Sequence, residues 1–150
     1  MGGKIAHVEQ MVKDISEAYD TGCLGFVVHA MNEAKRDERE FEYLCHTLVE
    51  AGYRTIFDFI EEYSQCSLGI DVWEAALCEN IPWDIVYDTY RGAYFSEYDF
   101  ADEMLGELSD TVGNDAWEML RPAISREHYW DSFLSHDFRF ICGHVFFAGF

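Results

Sequence analysis

Between Asp58 and Glu118 the chain places sixteen carboxylates and a single base, Arg91, a formal charge of −15 in that stretch alone. Any fold must keep those acids on its outside, because an unpaired ionised carboxylate in an apolar interior costs far more than a small domain can spare. Many of them recur at three- and four-residue steps: Asp58, Glu61 and Glu62; Asp84 and Asp88; Asp99, Asp102, Glu103, Glu107 and Asp110. Such steps put side chains on one face of a helix. The expectation is a set of helices whose outer faces form a nearly unbroken anionic surface.

The remaining composition says what this surface is attached to. With 49 % apolar and 17 % aromatic residues the chain can bury a core, unlike an acidic disordered tail. Over the whole chain 29 acids face 10 lysines and arginines, giving −19. Direct binding to nucleic acid or to an anionic membrane surface is thereby disfavoured, since both need clustered cations. No run approaches the roughly 18 apolar residues of a membrane span. The opening Met1-Gly-Gly-Lys4 carries no secretory leader pattern, so a cytoplasmic location is expected. Cys23, Cys45, Cys66, Cys78 and Cys142 are odd in number and lack CxxC spacing, and read as reduced core residues.

The periodicity predicts a mainly α (α+β) chain. An amphipathic stripe runs over residues 5–19, and a short apolar run over 23–31 reads as helix or irregular packing. Residues 32–51 read as one long helix with a solvated first half, stopped at Gly52. Capping patterns at Thr55, Asp71 and Ser96 predict helices over 56–66, 72–79 and 97–109, with further helices over 83–91, 115–120 and 125–134. The aromatic crowd between Phe138 and Phe150, with Gly143 and Gly149, predicts a small β element. A boundary near Gly52 would divide an N-terminal helical segment, 1–52, from an acidic helical region, 53–150, that ends in this element, unless the two form one continuous domain. An exposed aromatic edge there would also suit a homodimer.

Within the acidic region, Tyr90, Gly92, Tyr94, Ser96, Asp99, Phe100, Ala101 and Glu103 stand in the order Y-x-G-x-Y-x-S-x-x-D-F-A-x-E. Tyr129, Asp131 and Asp137 follow, with His136 before the last, and Gly143-His-Val-Phe-Phe147 closes the pattern. Over roughly residues 55–150 this resembles the ArdA-type antirestriction proteins, which mimic DNA. That resemblance implies an inhibitor without catalytic, cofactor or metal residues, whose exposed acids engage a DNA-binding defence enzyme such as a type I restriction-modification complex. Its partner-binding acids would be Asp58, Glu61, Glu62, Asp84, Asp88, Glu97, Asp99, Asp102, Glu103, Glu107 and Asp110. Gly92, Ser96, Phe100 and Ala101 suit a helix end, a cap and a core face, which leaves Asp99 and Glu103 as the motif acids facing a partner.

Charge alone supports the same mechanism, because a protein with a basic DNA groove is drawn by any dense anionic array. The same array would serve an anti-CRISPR or another nuclease inhibitor, or an acidic scaffold module. Cys45-His46, Cys142-x-His144 and His128 with His136 lack the paired spacing of a zinc site, and no GxSxG, phosphate loop or calcium loop occurs. His7 and His29 on apolar stripes read as core histidines.

Overall fold

The computed structural model describes residues 2–149, with side chains from residue 6 onward. The chain is mainly helical with a small antiparallel sheet near its C-terminus. Its contacts separate it into two compact units, one through Ile85 and one from Val86.

The first unit is all helix: α1 Gly2–Asp20, α2 Leu24–Ala34, α3 Glu38–Glu50, α4 Thr55–Ser64, α5 Ile70–Cys78 and a 3-10 turn Trp83–Ile85. In α1 the expected stripe turns Val8 and Ile15 inward, against α2 and α3, with Met11, Val12 and Tyr19 half-buried, and Ala18 is buried beside them. The apolar run after Gly22 is helix α2, with Leu24, Val27, Met31 and Ala34 buried. Burial at three- and four-residue steps is what fixes these helices, since isolated segments of this length are marginal in water.

The long helix expected over 32–51 is broken. Asp37 takes extended geometry and its side chain accepts the Glu40 amide at 3.2 Å, which starts α3 afresh. An N-cap of this kind satisfies an amide that the helix cannot, and dense flanking charge hides its Asp-x-x-Glu signature. Gly52 does stop α3: at φ +90° it lets Tyr53 N–H reach the Leu48 carbonyl at 2.9 Å. It is a turn inside the first unit, however, and the change of unit comes at Ile85. Tyr19, Tyr53, Phe59, Tyr63, Trp73 and Trp83 form a linked set of ring contacts with centroids 5.0–6.5 Å apart.

The second unit runs through α6 Val86–Thr89, β1 Tyr90–Ala93, α7 Glu97–Val112, α8 Asn114–Leu120 and a 3-10 turn Arg121–Ala123. After these come α9 Arg126–Tyr129, a π-helical turn Trp130–Leu134, α10 Ser135–Asp137, β2 Phe138–Ile141 and β3 His144–Phe147. The sheet order is β1-β3-β2, antiparallel throughout. Cys142 and Gly143, both at positive φ, make the two-residue turn joining β2 to β3. Phe100, Ala101, Trp130, Leu134 and Val145 form the buried cluster between α7, the π turn and the sheet.

Here residues 83–91 depart from the expected single helix, because Tyr90 pairs with Phe146 and Ala93 with His144. A partner more than fifty positions away overrides the local helical pattern. Gly92 is accordingly not a helix end; at φ +120° it sits where the β1 register slips against β3. The cysteines are free but not core residues: Cys23, Cys78 and Cys142 are exposed and Cys45 and Cys66 half-buried. His7 and His29 are likewise exposed, and His7 Nε2 lies 3.2 Å from Glu40. No helix among the described residues is long and apolar enough to cross a membrane.

Candidate functional site

The eleven acids singled out by sequence fall into both units. In the first, α4 buries Ile56 and Phe59, which turns Asp58, Glu61 and Glu62 away from the core. Asp84 stands exposed in the 3-10 turn that packs on α4. These four carboxylates, with Thr55, Pro82 and Trp83, line an open cleft of about 450 Å³. Among the described residues no Lys, Arg or His forms an ion pair with any of the four.

In the second unit α7 carries most of the remainder. Its N-terminus is set by Ser96, whose hydroxyl accepts the Asp99 amide at 3.2 Å. Phe100, Ala101 and Leu105 bury one side of the helix. Asp99, Asp102, Glu103, Glu107 and Asp110 then occupy an arc of about 140° on the opposite side, at about 100° per residue. From Asp99 to Asp110 the axis rises roughly 17 Å, so these carboxylates stand about one per 4 Å. All are exposed except the half-buried Asp99.

Glu97 is not part of that array. It is half-buried and lines a separate cleft with Trp130, Ser135, His136, Phe138, Arg139 and Phe140. Asp88 is exposed on α6, and its carbonyl accepts the Arg91 guanidinium at 2.7 Å. Arg91 also lies over the Phe147 ring, 5.6 Å from the centroid. The single base of the acidic stretch therefore spends its donors on backbone and its face on an aromatic ring.

Two residues outside the expected set shape the α7 array. Arg126 Nη1 lies 3.1 Å from Asp99 Oδ1 and 3.0 Å from Asp102 Oδ2, and its Nε lies 3.4 Å from Glu127. The hydrogen bonds to Asp102 and then Glu127 raise the guanidinium pKa above its ordinary value. Tyr94 donates its hydroxyl to Glu103. Burial, followed by that hydrogen bond and the nearby Glu103 and Glu107 charges, pushes the Tyr94 phenol up to about 12. Glu107 and Asp110 are left as the outermost carboxylates of the array.

Both motif acids expected to face a partner, Asp99 and Glu103, are thus already held by neighbours within the unit. The other motif residues build the fold: Tyr94 packs edge-on against Phe100 at 5.2 Å, Ser96 caps, and Ala101 is fully buried. Arg126 lies 27 positions from Asp99, so no local spacing announces it. Tyr94 stands within the quoted motif, although its bond to Glu103 requires the chain to turn between β1 and α7.

The geometry gathers exposed carboxylates along α7 and around the α4 cleft. Among the described residues no group of three or more His, Cys, Asp or Glu is placed to hold a metal ion. Comparisons with protein-family models, with curated proteins and with solved structures returned no match for this chain.

Proposed function

We propose that this protein is a non-enzymatic inhibitor that offers carboxylates in place of phosphates to a DNA-binding defence enzyme, foremost a type I restriction-modification complex, acting in the cytoplasm. The observation that carries the reading is the solvent side of α7. Its carboxylates, at about one per 4 Å of helix axis, come near the roughly 3.4 Å of duplex axis per phosphate of one DNA strand. Twelve acids against four arginines in the second unit leave that field mostly uncompensated. A groove that reads backbone charge accepts such an array without any base contact.

The geometry also explains why the array is held rather than left to float. Ser96 fixes the start of α7, Arg126 fixes Asp99 and Asp102, and Tyr94 fixes Glu103. Carboxylates ordered before contact lose less rotamer freedom on binding.

The test is competition. The protein is titrated into a purified type I restriction-modification complex holding a fluorescent duplex, at rising salt. Displacement that weakens steeply with salt is the expected result. Binding to the complex with the duplex still in place would overturn the proposal and leave a scaffold role. Displacement from another basic-groove nuclease alone would keep the mechanism and change the target.

A further inference from the structure

Past the end of α7 the chain does something its composition does not require. Gly113, at φ +87°, ends the helix, and α8 follows at once. Within α8, Ala116, Met119 and Leu120 stand at the three- and four-residue steps of an apolar stripe. A stripe of that spacing ordinarily faces a core. Here no residue of α8 is buried; Met119 is 83 % exposed and Leu120 44 %. Val112, in the last turn of α7, is a further exposed apolar side chain.

The surroundings of the stripe state what could cover it. Asp110, Asp115 and Glu118 are all exposed nearby in sequence, against one base, Arg121. A second copy would bring those carboxylates against their own likeness, and a plain apolar surface would strip them of water without return. An apolar depression rimmed by Lys and Arg satisfies both the stripe and its acids. This is the ordinary build of an interface, with a few desolvated anchors inside a polar rim.

We infer that Met119 and Leu120 are apolar anchors for the same basic, duplex-binding protein that the α7 carboxylates address, seated in a pocket beside its DNA groove. The inference rests on the inhibitor reading above. It adds a contact that DNA itself cannot make, so the protein would outcompete duplex at salt concentrations where carboxylates alone would fail. Burial of apolar area is little screened by salt, whereas the carboxylate contacts are.

Three variants test it in the duplex-displacement titration. Met119→Ser/Leu120→Ser should weaken binding about tenfold at every salt concentration, leaving the slope of log Kd on log salt unchanged. Met119→Glu adds negative charge while removing the anchor, and it too should weaken binding; tighter binding would overturn the inference. Glu103→Gln/Glu107→Gln/Asp110→Asn should flatten the salt slope. Unchanged affinity in the double serine variant, beside loss in the carboxylate variant, would remove the anchor and leave the inhibitor reading standing. Failure of the wild-type protein to displace duplex would remove both. Sedimentation completes the test: a wild-type dimer that the serine pair dissociates would make the stripe a self-contact and overturn the proposal. Circular dichroism should give the same Tm for both proteins, and a clear fall would make the stripe a fold support instead.

Discussion

Arg126 Nη1 stands 3.0 Å from Asp102 Oδ2, and the same nitrogen reaches Asp99. One cation, arriving from α9, thus spans two carboxylates on successive turns of α7. It orders them, and it also competes with any incoming guanidinium for the same oxygens.

Removing that competitor should show in affinity. On the proposed reading, Arg126→Ala should bind the restriction-modification complex about two- to fivefold more tightly at low salt, the equivalent of releasing one exposed ion pair. The gain should vanish at high salt. Duplex-displacement titrations of the two proteins measure it, and weaker binding at low salt would mean that ordering by Arg126 outweighs competition.

The α7 array should be stabilised by the change that disables it. Asp99 with Glu103, Glu103 with Glu107 and Glu107 with Asp110 are like-charge pairs at helical spacing, each costing roughly 0.2–0.5 kcal/mol. Glu103→Gln/Glu107→Gln/Asp110→Asn should therefore gain about 1 kcal/mol in urea unfolding while losing most of its displacement of duplex. A variant that unfolds earlier than wild type would refute the assignment of these acids to display.

Ser96 caps α7 with its side chain. Ser96→Ala removes the oxygen accepting the Asp99 amide, a loss of about 1 kcal/mol. For a chain of this size that is about 2–4 °C in Tm. Ser96→Asp should recover it, because an aspartate caps as well and its charge suits the helix N-terminus.

Alkaline titration should single out Tyr94. Its phenol is pushed up to about 12 in the fold, above the usual 10, so the protonated form is the one the fold favours. Its contribution to stability is complete below pH 10 and is lost as pH rises towards 12. Absorbance of tyrosinate against pH should show a late component that Tyr94→Phe removes. The phenols of Tyr53, beside Asp20, and Tyr98, beside Asp131, are also raised and will remain.

Thiol accessibility offers an independent check of the fold. Cys23, Cys78 and Cys142 should react with a maleimide in the native protein at comparable rates. Cys45, half-buried and with burial holding its thiol above the ordinary pKa, should lag behind them. Peptide mass mapping after a short pulse reads each site separately.

What the sequence reveals and what it hides follow one division. A stripe such as Val8 and Ile15, and the cap at Ser96, are local patterns, and the structure places helices there. The C-terminal sheet is legible from its aromatic crowding and from Gly143. Tyr90–Ala93 is not, since a strand whose partner is Phe146 carries no nearby sign of it. The cysteines mislead for another reason: apolar neighbours along the chain do not put a side chain on the inner face of a helix. In the candidate site, the carboxylates of α7 are readable from spacing alone, whereas their clamp by Arg126 depends on α9 folding back.

The placing of β3 between β1 and β2 orders events in time. During synthesis, residues 144–147 leave the ribosome after every other element of the second unit, yet both other strands bond to them. Until then the nascent chain holds two unpaired strands apart, while the helices of the first unit all lie upstream of Val86. On the proposed reading, displacement of duplex should therefore appear only once β3 has emerged, and a pause before His144 would leave an acidic helix with no sheet to rest on.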